Sequence, residues 1–124
     1  GINDLYAGIE PGRVMENLKR LYALTLGIQS KPIACTLTPT EADDRMNTRI
    51  GELNALMTEH SDSEGFMVVD LFSSLASPDG RLNPVYSDDG VHLSPRGYAA
   101  VARAVFDEVV RFILEGLAET SQDL

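Results

Sequence analysis

Residues 32–38 read Pro32-Ile33-Ala34-Cys35-Thr36-Leu37-Thr38, and residues 66–72 read Phe66-Met67-Val68-Val69-Asp70-Leu71-Phe72. Both runs are mostly apolar, and Pro39 closes the first. Runs without strict polar alternation suit parallel strands covered on both faces. Between them, Met46, Ile50, Leu53 and Met57 recur at helical spacing and predict a helix over 42–59. His60, Ser61, Asp62, Ser63 and Gly65 then read as a polar connector. Upstream, Val14, Leu18, Leu21, Tyr22 and Thr25 fall on one face of a helix over 12–26. Pro11 suits its first turn and Gly27 its stop. Downstream, Ser77-Pro78-Asp79-Gly80 is a turn and 83–93 a polar loop. Ser94 then caps, and Pro95 opens, a helix over 95–115. Its apolar stripe is Tyr98, Val101, Ala102, Val105, Val109, Phe112 and Ile113; Gly116 ends it. Residues 117–124 read as a frayed tail.

This alternation of helix and strand is an α/β pattern. Two parallel strands are too few to bury both faces and to cover the helix stripes. Residues 1–3 look like the end of another strand whose body is absent. The chain therefore reads as the C-terminal part of a single doubly wound domain spanning 1–116.

The remaining composition narrows the function classes. The 124 residues fit one domain, and 44% hydrophobic content supplies an aliphatic core without Trp. No apolar run approaches the roughly 20 residues of a membrane span. A formal charge of −9 makes nucleic acid a poor partner, because phosphate binding needs clustered Lys and Arg. Cys35 is the only cysteine, which excludes an internal disulfide and a zinc site built on paired cysteines. It reads as a buried core thiol. The Gly1-Ile2-Asn3-Asp4-Leu5 start lacks an initiator Met, and we expect a cleaved or excised chain.

Two short stretches can carry chemistry. In Asp88-Asp89-Gly90-Val91-His92, the Asp89 carboxylate can curl back to accept from Nδ1–H of His92. Nε2 is then free as a general base. The plainer reading is a solvated Asp and a His beside a helix cap. In Gly1-Ile2-Asn3-Asp4, Asn3 at a strand's carboxyl end can donate its amide N–H to a developing oxyanion. The plainer reading is a turn. Tyr6, just beyond, can line a substrate pocket.

Taken together, these stretches resemble two blocks of the SGNH, or GDSL-type, hydrolase family. Gly1-Ile2-Asn3-Asp4 is similar to its G-x-N-D block. Asp89-Gly90-Val91-His92, with the following Leu93-Ser94-Pro95-Arg96-Gly97-Tyr98, is similar to its D-x-x-H block. The resemblance implies a flavodoxin-like three-layer α/β/α parallel sheet. It also implies a serine ester hydrolase working through an acyl-enzyme on a small-molecule ester, with no metal or organic cofactor. By the same resemblance Asn3 is an oxyanion-hole donor, Asp89 orients the imidazole, and His92 is the base. The block bearing the nucleophilic serine is missing. The resemblance then places that serine on an N-terminal segment or a companion chain.

Other residues support no competing site. Asp62-Ser63 lacks the preceding Gly and strand of a nucleophile block, while Ser87 and Ser94 read as turn and cap residues. Asp88, Asp89 and His92 lack the alternating acids of a calcium loop. His60 reads as exposed, and Asp70, inside a strand, needs a partner. Two alternatives stand beside the hydrolase: a non-catalytic remnant or interaction module of the same fold, and an unrelated doubly wound protein. The last predicts that Asn3 and His92 lie far apart.

Overall fold

The computed structural model describes residues 1–122. Helix α1 spans Ile2–Tyr6, α2 Pro11–Gly27 and α3 Asp44–Glu64. Strands β1, Ile33–Cys35, and β2, Met67–Val69, pair in parallel, with Ala34 opposite Val68. After β2 come α4, Leu71–Leu75, a 3₁₀ turn at Pro84–Tyr86, and α5, Pro95–Gln122. Helices α2 and α3 form one layer, the strands the middle, and α5 the third, against β2, α4 and the 3₁₀ turn.

The α3 stripe is buried as its spacing requires: Met46, Ile50, Leu53 and Met57 meet Leu5, Val14, Met15, Tyr22 and Ala34 in the core. On α2, Met15 is buried in place of Leu21, which is exposed. Just past β1, the Asn54 side chain of α3 accepts from the Leu37 N–H at 2.8 Å and donates to the Leu37 carbonyl at 3.0 Å. One amide thus satisfies both backbone groups of Leu37 and fixes the chain beyond the strand.

Several elements differ from the sequence expectations. Residues 1–3 are not a strand end. Gly1 caps α1, and the Asp4 carboxylate accepts from the Gly1 nitrogen at 2.9 Å. The expected connector at His60–Ser63 is the last turn of α3, because Ser61 is fully buried and His60 is half-buried. The imidazole stacks on Tyr22 at 5.9 Å and meets Phe66 edge-on at 6.0 Å. Gly65, at φ 73°, supplies the left-handed stop. Asp70 is not inside a strand either. It caps α4, accepting from Ser73 N–H at 3.0 Å and contacting the Thr36 hydroxyl at 3.4 Å. Cys35 is half-buried, and partial burial pushes its thiol pKa up.

Helix α5 runs through Gly116, which costs only about 1 kcal/mol relative to Ala. Thr120 and Ser121 bond back to the Gly116 and Leu117 carbonyls. Residues 117–122 of the expected tail are therefore helical, and 123–124 lie outside the described residues. The α5 stripe is only partly covered. Val101, Val105 and Val109 are half-buried, whereas Tyr98, Phe112 and Ile113 are exposed. Two strands give the distal half of this helix little sheet to cover.

Candidate active site

The Asp89–His92 stretch folds as a braced loop. Gly90 sits at φ 83°, where a side chain is strained, and Glu41 packs against it. The Glu41 N–H also donates to the Gly90 carbonyl at 2.9 Å. On the other side, Ser94 N–H donates to the Tyr86 carbonyl at 2.8 Å. Helix α5 approaches that carbonyl so closely that a Cβ on Gly97 would overlap it. Gly97→Ala is therefore expected to destabilise the protein by about 1–3 kcal/mol, read as a lower Tm. An unchanged Tm would show that the contact is slack.

Within the loop, Asp89 Oδ1 accepts from Val91 N–H at 2.9 Å and His92 N–H at 2.7 Å. Its Oδ2 lies 2.7 Å from His92 Nδ1. These contacts, the Val91 amide first, then the His92 ring and the His92 amide, hold the Asp89 carboxyl well below the usual carboxylate range. Asp89 therefore stays ionised and accepts Nδ1–H, which leaves Nε2 open on an exposed ring.

The structure brings Asn3 and His92 to one cavity of about 460 Å³, lined by Ile2, Asn3, Tyr6, Leu37, Thr38, Val91 and His92. It lies beyond the carboxyl end of β1, the functional rim of an open α/β sheet. Asn3 comes from α1, not from a strand end. Tyr6 borders both this cavity and a smaller one beside Asp43 and Arg49. Burial, then the Asp43 carboxylate, pushes its phenol pKa up, so it remains a donor.

The family model for GDSL-like lipase/acylhydrolase matches residues 1–100. The chain belongs to this family. The separation of Asn3 and His92 expected of an unrelated protein is not found. Among solved structures, a member of the lipolytic G-D-S-L family from Veillonella parvula superposes with TM-score 0.77 at 21% identity, over 86% of this chain and 58% of its own. A catalytic serine-to-alanine mutant of an acetylxylan esterase from Geobacillus stearothermophilus gives TM-score 0.75 at 20% identity, over 88% and 56%. A GDSL-like lipase from Bacteroides thetaiotaomicron gives 0.69 at 20%, over 82% and 53%. These likenesses show the fold, an SGNH-type α/β architecture. The chain spans about half the length of these structures. Among curated proteins none matches it.

Sequence reasoning missed the cavity walls Ile2, Leu37, Thr38 and Val91. Thr38, directly before Pro39 at the end of an apolar run, was the one local signal for them. Among the described residues no group of three or more His, Cys, Asp or Glu side chains is placed to hold a metal ion. No described helix is long and apolar enough to cross a membrane.

Proposed function

We propose that this GDSL-family chain supplies the base, its orienting carboxylate and an oxyanion donor of a serine ester hydrolase. The observation that carries the reading is one cavity shared by Asn3 and His92, with Asp89 2.7 Å from the ring. His92 Nε2 takes the proton of the attacking serine and returns it to the leaving alcohol. Asp89 stabilises the imidazolium between those steps, and the Asn3 amide donates to the tetrahedral oxyanion. The walls formed by Ile2, Leu37 and Val91 suit a short acyl group.

The nucleophile comes from a further polypeptide segment, N-terminal or on a companion chain. No described serine lines the cavity. Ser87 Oγ is committed to the His92 carbonyl, Ser94 Oγ to the Val85 carbonyl, and Ser63 Oγ to the His60 carbonyl. The fold leaves room for such a segment. Among the described residues β1 pairs only with β2. At the amino ends of both strands, Leu26, Ile33 and Phe112 line a largely apolar groove of about 330 Å³ and are each substantially exposed. An open strand edge and exposed apolar surface are both ordinarily covered.

The 124-residue chain alone is expected to hydrolyse p-nitrophenyl acetate no faster than its own His92→Ala variant. Measurable turnover by the chain alone, abolished in that variant, would overturn the placement of the serine. In the active protein, Asn3→Ala is expected to lower kcat about 10²- to 10³-fold with little change in KM. A loss confined to KM would instead make Asn3 a ground-state binding residue.

A further inference from the structure

The His92 ring is 85% exposed and the Asp89 side chain 56%. Packing therefore does not hold this pair, and its geometry must come from hydrogen bonds. Ser87 supplies them from beneath the loop. It is 6% exposed. Its Oγ donates to the His92 carbonyl at 2.6 Å and accepts from Gly90 N–H at 2.9 Å. Asp89 Oδ1 lies 3.4 Å away, a contact too long to compete for the single hydroxyl proton. The backbone bridge between Ser87 and Leu93 closes the same loop from outside.

We propose that Ser87 is a positioning residue for the Asp89–His92 pair. The hydroxyl ties the loop's middle, at Gly90, to its last residue, at His92. That tie aims the Val91 and His92 amides at Asp89 and fixes the backbone from which the imidazole projects. The sequence offers Ser87 only as a turn residue, and the family likeness gives it no role. The inference rests on the reading of Asp89 and His92 as the catalytic pair.

Removing the hydroxyl leaves the buried Gly90 N–H without its partner and frees the His92 carbonyl, which favours a rearranged loop. In the 124-residue chain, ¹³C NMR titration of the Asp89 carboxyl is expected to show the midpoint rising by about one unit in Ser87→Ala. Ser87→Thr, which keeps the hydroxyl, should leave it in place. Asp88 beside it and Glu41 against Gly90 are the same in both variants, so neither contributes to the difference. A Ser87→Ala midpoint equal to that of the wild type, in a folded chain, overturns the proposal.

If the alanine variant fails to fold, Ser87→Thr and Ser87→Val decide, because they share a shape and differ in the hydroxyl. In the active protein, the valine form is expected to have kcat at least tenfold below the threonine form, with KM within twofold. Equal kcat values overturn the proposal. The titration needs no nucleophile and no turnover. A moved Asp89 midpoint together with full activity in His92→Ala would therefore sink the catalytic reading and leave the positioning role standing.

Discussion

Replacing His92 by alanine is expected to lower kcat on a short acyl ester about 10⁴- to 10⁶-fold in the protein that carries the nucleophile. The size follows from the proposed role. His92 lines the cavity, and Nε2 is its open nitrogen, because Nδ1 is held by Asp89 at 2.7 Å. Without the ring, the serine proton has no acceptor and the leaving alcohol no donor. Binding is spared, since the apolar walls at Ile2, Leu37 and Val91 are unchanged. KM should therefore move little. Stability should move little too, because the ring is largely exposed. A variant with native Tm and undiminished turnover of p-nitrophenyl acetate would contradict the assignment.

Asp89→Asn is expected to cost about 10³- to 10⁴-fold in kcat. The amide oxygen can still accept from the Val91 and His92 N–H groups, so the loop should persist. The negative charge opposite Nδ1 is lost, and an amide N–H turned towards the ring would favour the wrong tautomer. A deep loss of kcat with an intact fold is the signature to measure. The pH behaviour follows from the sign of the Asp89 shift. A carboxyl held below its ordinary range contributes its stabilisation above the unfolded pKa, near 3.9, and loses it only as pH falls through the lower folded value. No loss of activity above about pH 4 should therefore trace to Asp89. A kcat profile in which an Asp89-dependent limb lies above pH 5 would contradict the geometry.

The parts of the molecule that could be read from the sequence are those set by local chemistry. The Ser77–Gly80 turn closes as its residues require, with Gly80 at φ 82° and its N–H on the Ser77 carbonyl. The Asp89–His92 contact spans three residues within one tight loop, so both partners are visible in a short stretch of sequence. The α3 stripe is buried as its spacing demands. What was hidden depends on tertiary packing. A connector rich in His, Ser and Asp is helical because Ser61 is buried and His60 finds Tyr22 and Phe66. Asp70 interrupts an apolar run because its carboxylate suits a helix cap better than a strand interior. The exposure of Tyr98 and Phe112 could not be read from periodicity, which reports a helix face and not whether anything covers it. Ser87 was invisible as a brace for the same reason: a serine in a polar loop looks alike whether its hydroxyl meets water or a buried carbonyl.

The central claim is that catalysis joins this chain's His92, Asp89 and Asn3 to a serine carried elsewhere. It is tested most directly by labelling the active protein with a fluorophosphonate and mapping the adduct by peptide mass spectrometry. The account predicts one adduct, on a serine outside residues 1–124, that disappears in the His92→Ala variant. An adduct on a serine within residues 1–124, or one formed as quickly without His92, would contradict it.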